Sequence, residues 1–431
     1  MPAGPRFDRL EDWLEWQQRA HPVTIELGLD RVARVLARTG WRRPDVPVIT
    51  VAGTNGKGST VALLDAVLRA GGNRVGTFTS PHLVDYRERI RIDGEQVSAA
   101  SLVAAFTRIG DALGDDTLTY FEFNTLAALL VFETAGLDAI VLEVGLGGRL
   151  DAVNVVDADV AVVVSIGLDH MDYLGPDVES IGREKAGIFR RGRPAIFGSP
   201  QPPQAVCDVA DEVGATLLVR GTDFDGVVRA DDDGWDFVVA GEVRHERLPR
   251  PALAGSIQVA NAATVLAALA SLRERLPLGR EAVEAGLRSV TLPGRFQRVR
   301  DPRRGFEWVF DVAHNPAAAA ALASNLRDWP VPGRTHAVCG MLGDKDVAGV
   351  VATLAPVVDE WWATAAEGPR ALDAAELVRR AATAGVAMRP AGSVAEALQH
   401  VAAMASPGDR VVVFGSFHTV GPALVALGVP L

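Results

Sequence analysis

A glycine-rich loop near the N-terminus carries the residue types best suited to phosphate chemistry. It follows a predicted strand, opens a predicted helix and consists of Gly53, Thr54, Asn55, Gly56, Lys57, Gly58 and Ser59. Glycines let the backbone turn tightly and aim N–H groups inward, while the helix N-terminus and Lys57 add positive charge. The loop is therefore predicted to hold the β- and γ-phosphates of ATP, with Ser59 near its Mg²⁺. The alternative is a plain glycine turn between a strand and a helix.

The loop departs from the common phosphate-binding form G-x-x-x-x-G-K-[ST] at two positions. Val51 replaces the first glycine, and Gly58 separates Lys57 from Ser59. This departure points away from general ATPases and GTPases.

Three polar side chains follow predicted strands and suit a metal ion. Ser80 follows one strand, Glu143 ends a second, and His170 lies just past a third. The carboxyl ends of parallel strands share one sheet edge, where α/β ligand sites form. A hydroxyl, a carboxylate and an imidazole could share one Mg²⁺ with phosphate oxygens and water. Imidazole is an uncommon Mg²⁺ ligand, so a hydrogen-bonded core histidine is an equal alternative for His170, and Ser59 is an alternative hydroxyl ligand.

The elements that position these residues have an α/β pattern. Residues 47–53, 138–145 and 159–167 are nearly continuous runs of Val, Ile and Leu, as buried parallel strands are, and helical stretches alternate with them. Residues 222–248 alternate and predict a small antiparallel addition, with the acidic run 231–233 as a solvated turn. A second α/β series begins close to residue 296. Two domains are predicted, 1–295 and 296–431.

Composition narrows the class of protein. The chain has 431 residues, a net charge of -11 and two cysteines. The charge argues against a nucleic-acid partner, and the cysteines, which lack CxxC spacing, argue against a disulfide framework or a thiolate zinc site. The N-terminus lacks the apolar core of a signal peptide, and no apolar run is long enough to span a bilayer. A soluble cytoplasmic protein is expected.

An ordered set of motifs extends along most of the chain and resembles the Mur ligase family, in particular its folylpolyglutamate/dihydrofolate synthase branch. The motifs are GTNGKGS (53–59), SPHL (80–83), TYFEFNTLAAL (119–129), LEVGLGGRLDAVN (142–154), GLDHMDYLG (167–175), EKAGIF (184–189), QVANAA (258–263), LPGRFQ (292–297), DVAHNP (311–316) and GMLGDKD (340–346). The resemblance implies a P-loop ATPase domain with a mostly parallel sheet, followed by a smaller Rossmann-like glutamate-ligase domain. It implies an ATP-dependent amide ligase that adds L-glutamate to dihydropteroate or to the γ-carboxylate of reduced folates.

The resemblance also implies roles for single residues. The family's Mg²⁺ ligands are matched by Ser80, Glu143 and His170. The resemblance also implies catalytic roles for Lys57, Lys185 and His170. Lys185 matches a lysine that CO₂ converts to a carbamate, which helps hold a second Mg²⁺. This chemistry needs a neutral amine and hence a depressed pKa. The alternative for Lys185 is a helix-surface lysine paired with a carboxylate.

Further matches concern the nucleotide and the acceptor. Asn261 matches a contact to the nucleotide base, and Arg295, Asp311 and His314 match residues that reach ATP from the second half of the chain. Otherwise Asn261 is a packing group and Arg295 is surface charge. The acceptor-side matches are Leu27, Phe121, Glu122 and Asp151. An aromatic ring such as that of Phe121 can stack on a flat heterocycle, although such a ring is more often part of the core.

The expected reaction passes through an acyl phosphate, with ATP, L-glutamate and a pteroate or reduced folate as small-molecule partners. The family expectation is a monomer with neither nucleic-acid nor membrane partners. Two alternatives stay open on the sequence: a Mur-type ligase that acts on a peptidoglycan precursor or amino-acid polymer, and a P-loop switch or scaffold that binds ATP without ligation. Ser80, Glu143, His170 and DVAHNP favour catalysis over binding alone.

Overall fold

The computed structural model describes residues 5–230, 234–366, 368 and 370–430, so the acidic run 231–233 lies outside the described residues. The helices are α1 (Leu10–Gln17), α2 (Asp30–Arg38), α3 (Lys57–Ala70), α4 (Ala99–Ala112), α5 (Tyr120–Glu133), α6 (Met171–Leu174), α7 (Val178–Ala186), α8 (Gln204–Val213), α9 (Ile257–Ala270), α10 (Arg280–Ser289), α11 (Pro316–Asp328), α12 (Val347–Leu354), α13 (Ala374–Ala382), α14 (Val394–Met404) and α15 (Phe417–Leu427). The strands are β1 (Val48–Ala52), β2 (Val75–Phe78), β3 (Ile90–Ile92), β4 (Glu95–Gln96), β5 (Ala139–Glu143), β6 (Val160–Val163), β7 (Pro194–Phe197), β8 (Thr216–Val219), β9 (Phe224–Val228), β10 (Trp235–Val239), β11 (Glu242–Leu248), β12 (Gln297–Arg300), β13 (Glu307–Asp311), β14 (Thr335–Cys339), β15 (Glu360–Ala365), β16 (Arg389–Ser393) and β17 (Arg410–Phe414).

A mostly parallel sheet organises the first part of the chain. In the described residues its order is β4-β3-β2-β5-β1-β6-β7-β8. Strand β3 pairs antiparallel with both β2 and β4, and the other pairings are parallel. Strands β1, β5 and β6 are buried along their whole length. Buried Val, Ile and Leu on both faces explain why these strands read as continuous apolar runs. The predicted strands are confirmed.

A small antiparallel sheet follows, as residues 222–248 predict. Its order is β11-β10-β9, and both pairings are antiparallel. Trp235 at the start of β10 is fully buried and donates its indole N–H to the carbonyl of Pro249 at 2.9 Å. One face of this small sheet is therefore packed around the buried Trp235 ring, as the alternating residues indicate.

A second α/β sheet has the order β12-β13-β17-β14-β15-β16, parallel except for the β12-β13 pair. Two groups of buried side chains lie against it, one around Phe414 and Leu322 and one around Phe310 and Val413. This is the Rossmann-like arrangement that the second series of strands predicts, so the predicted fold class is confirmed.

Packing divides the chain into two compact units. The first comprises Met1–Pro81, Tyr86–Pro251 and Val259–Val290, and the second comprises His82–Asp85, Ala252–Gln258 and Thr291–Leu431. Two short segments that precede Thr291 in the chain thus pack with the second unit. The functional boundary after Arg295 stays a prediction.

The described helices are short relative to a bilayer. The longest of them have 14 residues, whereas a membrane-spanning helix needs about 20 apolar residues. None of the helices in the described ranges is long and apolar enough to span a membrane.

Candidate active site

The glycine-rich loop connects β1 to α3 in the first unit. Gly56 caps the helix in the left-handed conformation, with φ of 86°, and Lys57 is the first helical residue. The loop is fixed to the end of β6, because Thr54 N–H donates to the carbonyl of Ser165 at 2.8 Å and Asn55 N–H donates to the Ser165 hydroxyl at 3.0 Å. The N–H groups of the first helical turn have no intrahelical acceptor, and the N-terminus of a helix is where a phosphate would bind.

Lys57 and Ser59 lie in that first turn. The Lys57 ammonium folds back over the loop and donates to the Gly53 carbonyl at 2.9 Å. Ser59 is buried. A positive charge and a hydroxyl therefore lie beside the helix N-terminus. This arrangement suits a nucleoside triphosphate and its metal ion.

Replacing Gly56 with alanine is expected to weaken ATP binding by about tenfold or more, because a non-glycine residue in this conformation is strained by roughly 1–3 kcal/mol. The added Cβ would also lie 2.8 Å from Val164 Cγ1 and 3.3 Å from Asn261 Oδ1. Calorimetric titration with a non-hydrolysable ATP analogue measures the effect. Gly72→Ala is the matched control, since Gly72 has φ of 81° and nothing within 4 Å of its Cβ position. Equal losses of affinity in the two variants would contradict the expected role of the loop.

The carboxyl ends of β2 and β5 bring Ser80 and Glu143 together. The two strands pair in parallel, and the Ser80 N–H donates to Glu143 Oε2 at 3.2 Å. Glu143 is buried. A carboxylate and a hydroxyl at one sheet edge are oxygen donors of the kind Mg²⁺ prefers, so these two residues fit such an ion.

His170 lies in the loop that precedes α6. It has a left-handed backbone with φ of 52°, its N–H donates to Asp169 Oδ1 at 3.0 Å, and its side chain is about one third exposed. It is therefore not a fully buried core histidine. Within the described ranges, no group of three or more His, Cys, Asp and Glu side chains is arranged to hold a metal. The predicted set contains only two such side chains, and its joint coordination of a metal stays a prediction, as does the alternative ligand Ser59.

Lys185 lies near the end of α7 and is buried. Burial, aided by the positive charge of Lys57, lowers the pKa of Lys185 from 10.5 to about 7, although Asp169 and Asp151 oppose the shift. The turn 147–149 packs against this end of α7: the Arg149 N–H donates to the Glu184 carbonyl at 2.8 Å, and a Cβ on Gly148 would come within 2.9 Å of the Lys185 carbonyl. The lowered pKa favours the neutral amine that carbamate formation would need.

Asp151 caps a short 3-10 turn and is buried. Its carboxylate accepts the N–H groups of Leu146 at 2.8 Å and Val153 at 3.1 Å. Burial raises the pKa of Asp151 to about 7, although these donors and Lys57 act in the opposite direction. The positive charge of Lys57 contributes to the pKa shifts of both Asp151 and Lys185, so these two side chains lie within its electrostatic reach.

The other three acceptor-side residues lie on two segments of the first unit. Phe121 is the second residue of α5, and its ring lies against Gly145, where an added Cβ would be 2.5 Å from Cζ. Glu122 is buried and pairs with Arg31. Leu27 is partly buried, and the N–H of the next residue, Gly28, donates to the Leu150 carbonyl at 3.2 Å.

The nucleotide-side residues fall into two groups. Asn261 lies on α9 in the first unit, beside Gly56. In the second unit, the Arg295 guanidinium lies 5.0 Å from the centre of the Phe417 ring. Asp311 accepts the Phe296 N–H at 2.9 Å, and burial raises its pKa against the opposing charge of Arg295. His314 Nδ1 lies 2.8 Å from the Val312 carbonyl. The structure therefore brings Arg295, Asp311 and His314 close together.

Several residues with clear structural roles here were not singled out from the sequence. They are Arg31, Gly145, Ser165, Asp169 and Phe417, although two of them, Gly145 and Asp169, lie within the motifs 142–154 and 167–175. Ser165 and Gly145 each follow a buried strand, so their positions at the sheet edge were a usable signal. Arg31 and Phe417 act through partners distant in the sequence, and nothing in their local pattern marks them.

Comparisons with known proteins agree with this fold. A model described as the Mur ligase middle domain matches residues 51–217, and one described as the Mur ligase glutamate ligase domain matches residues 294–417. The first match covers the loop, Glu143 and Lys185, and the second begins at Gly294. The fold and the site thus define a Mur-type ligase.

Full-length relatives identify the branch. The dihydrofolate synthase/folylpolyglutamate synthase of Escherichia coli is 48% identical over 95% of this chain and 94% of its own length. The structure of E. coli FolC in complex with DHPP and ADP has a TM-score of 0.92 at 47% identity and covers 98% and 99% of the two chains. A bifunctional folylpolyglutamate synthase/dihydrofolate synthase with Mn, AMPPNP and L-glutamate bound has a TM-score of 0.90 at 45% identity, with 99% and 100% covered.

The chain belongs to the dihydrofolate synthase/folylpolyglutamate synthase family. The predicted family and the predicted ligase class are confirmed. These relatives favour the glutamate ligase over a Mur enzyme acting on a peptidoglycan precursor.

Proposed function

We propose that this protein uses ATP to add L-glutamate to dihydropteroate and to the γ-carboxylate of reduced folates. The observation that carries the proposal is the loop at the start of α3, with Lys57 over it and Ser80 and Glu143 at the neighbouring strand ends. Relatives of nearly equal length are named for both activities. ATP and a divalent metal are the cofactors that this site and the bound ligands of related structures support.

The reaction has two steps. An oxygen of the acceptor carboxylate attacks the γ-phosphorus of ATP, and ADP leaves with the electrons of the broken P–O bond. The amine of L-glutamate then attacks the acyl carbon, phosphate leaves, and the nitrogen gives up a proton as the amide forms. In both steps the protein's contribution is positioning and charge neutralisation.

Lys57 supplies the positive charge for the first step. The ammonium lies over the loop that leads into α3, so it and the N–H groups of the first helical turn would surround the transferring phosphoryl group. The other loop residues that would hold the phosphates are Thr54, Asn55, Gly56, Gly58 and Ser59.

Ser80, Glu143 and His170 would hold Mg²⁺, with Ser59 as an alternative hydroxyl ligand. When bound, the ion would neutralise charge on the β- and γ-phosphate oxygens. Ser80 and Glu143 are already joined by a hydrogen bond, which orients the carboxylate at the sheet edge.

Lys185 would carry a carbamate. The neutral amine attacks CO₂, a C–N bond forms, and the nitrogen releases a proton, so that a cationic side chain becomes an anionic oxygen ligand. A pKa of about 7 makes the neutral amine available near neutral pH. The carbamate would help hold a second Mg²⁺.

The remaining predicted residues complete the assignment. Asn261 would contact the nucleotide base, and Arg295, Asp311 and His314 would act on ATP from the second unit. Residues 1–295 would form the ATP-binding domain with the acceptor pocket, and residues 296–431 the glutamate-ligase domain. Leu27, Phe121, Glu122 and Asp151 would frame the pocket. A cytoplasmic monomer without nucleic-acid or membrane partners remains part of the proposal.

Phosphate release tests the proposed activity. With MgATP and L-glutamate, the purified protein is expected to release phosphate only when dihydropteroate or a reduced folate is added. Mass spectrometry should find each product one glutamyl residue heavier than its acceptor. A UDP-muramoyl peptide serves as the control acceptor. Phosphate release that only the UDP-muramoyl peptide stimulates, or that none of these acceptors stimulates, would contradict the folate assignment.

A further inference from the structure

Glu122 is occupied by the protein itself. It is the third residue of α5 and forms a capping box with Thr119, whose N–H donates to Glu122 Oε2 at 2.8 Å. Arg31 Nε lies 2.9 Å from Oε1 and 3.0 Å from Oε2, and Arg31 Nη2 lies 2.8 Å from Oε1. Both oxygens of this buried carboxylate therefore already accept charge-assisted or backbone hydrogen bonds.

Arg31 joins Glu122 to the segment that carries Leu27. It is the second residue of α2, its side chain is 14% exposed, and its Nη2 donates to the Glu26 carbonyl oxygen at 2.7 Å. The Glu26 carboxylate pairs with Arg31 Nη1 and lies 2.8 Å from Nε2 of His21. His21 Nδ1 lies 2.8 Å from the hydroxyl of Thr117, just ahead of α5. Segment 21–31 is thus attached to the start of α5 at two points.

The same segment is attached to a third part of the proposed pocket. The Gly28 N–H donates to the carbonyl of Leu150, the residue before Asp151. Leu27, Phe121 and Asp151 therefore lie on three stretches of chain that these bonds hold together. Arg31 connects two of the three through Glu122, beside the contact of His21 with Thr117.

We infer that Arg31 is a positioning residue for the acceptor and that Glu122 acts through Arg31, without touching the acceptor. The inference rests on the proposed function, because it concerns the pocket assigned there to dihydropteroate. A planar guanidinium can bond both carboxylate oxygens and a backbone carbonyl at once, which fixes the direction of α5 relative to segment 21–31. Loss of the pair would remove one of the two attachments between segment 21–31 and the start of α5, so Phe121 and Leu27 would be held less firmly relative to each other.

Kinetics of Arg31→Gln and Glu122→Gln test the inference. Each is expected to raise the KM for dihydropteroate by roughly tenfold, since small errors in position are costly. The KM for MgATP should stay within about twofold. Gln at position 122 preserves the capping box, so α5 should still begin at Tyr120. The KM of Arg31→Lys for dihydropteroate should lie between those of the wild type and Arg31→Gln, since an ammonium cannot make the same paired hydrogen bonds.

The double variant separates positioning from general damage. If the two residues act as one unit, Arg31→Gln with Glu122→Gln should raise the acceptor KM no more than either single change. Arg34→Gln is the matched control. Arg34 lies one turn further along α2 and pairs with Asp116 at 2.6 Å, and its side chain is 57% exposed. Its acceptor KM should equal that of the wild type.

The outcomes distinguish this inference from the proposed function. A wild-type protein that never responds to dihydropteroate contradicts the proposed function. A responsive wild type whose Glu122→Gln and Arg31→Gln variants keep the acceptor KM, or raise both KM values equally, contradicts only the inference. If Arg31→Gln fails to fold, Glu122→Gln alone decides, because it retains the helix cap and every contact of Arg31 with Glu26.

Discussion

Lys57→Ala is expected to lower kcat by about a hundredfold or more, because it removes a fixed positive charge from the transferring phosphoryl group. The loop itself should survive, since its links to Ser165 do not involve Lys57. Binding of ADP should therefore fall less than kcat. Acceptor-dependent phosphate release measures the first quantity, and calorimetric titration measures the second.

Arg19→Ala provides the control for a lost surface cation. Arg19 lies in the turn just after α1 and pairs with Glu15 of that helix, and its side chain is 77% exposed. Exposed ion pairs of this kind contribute little to stability, so the turnover of Arg19→Ala should match that of the wild type. Near-normal turnover of Lys57→Ala would exclude the loop as the site of phosphoryl transfer.

Lys185→Ala is expected to reduce turnover by about a hundredfold as well, because an anionic ligand near the phosphates would be lost. Added formate or acetate should restore part of the activity by supplying a carboxylate in the vacated space. The pKa of Lys185 is about 7, so the neutral amine, and with it the carbamate, increases as pH rises through 7. Activity should therefore rise over that range and fall when CO₂ is removed.

Lys185→Arg distinguishes a carbamate from a simple cation. An arginine keeps the positive charge but does not lose its proton at accessible pH, so it cannot react with CO₂. This variant should be as inactive as Lys185→Ala, and labelled CO₂ should give a carbamate carbon signal in the wild type alone. Full activity of Lys185→Arg would rule out the modification.

The lysine content of the chain is relevant to this prediction. Of 43 basic residues only three are lysines, namely Lys57, Lys185 and Lys345. Surface charge is thus supplied almost wholly by arginine. Unlike a guanidinium, the buried amine of Lys185 can lose its proton at accessible pH, which the reaction with CO₂ requires.

The sequence predicted those features that depend on local pattern. Strands β1, β5 and β6 were recognisable because unbroken Val, Ile and Leu runs are typical of buried parallel strands. The loop before α3 was recognisable because glycines, a lysine and a serine follow such a strand. The small sheet β9–β11 followed from its alternating residues.

The contacts around the acceptor pocket could not be predicted in this way. Arg31 and Glu122 are 91 residues apart in the chain, and each looks like an ordinary charged helix residue. The pKa of Asp151 depends on burial and on donors from Leu146 and Val153, neither of which a pattern reveals. The packing of α2 and its preceding segment against α5 could not be predicted from the sequence.

The close approach of Phe121 to Gly145 links recognition to chemistry. Gly145 is two residues beyond Glu143 on the same strand exit, and the aromatic ring lies on its bare backbone. An ill-fitting heterocycle that tilts this ring would press on the stretch of chain that aims the Glu143 carboxylate. Discrimination among acceptors would then appear as a lower turnover rate at saturating acceptor as well as a weaker affinity. A poor acceptor would bind to the enzyme and yet cause little ATP to be consumed.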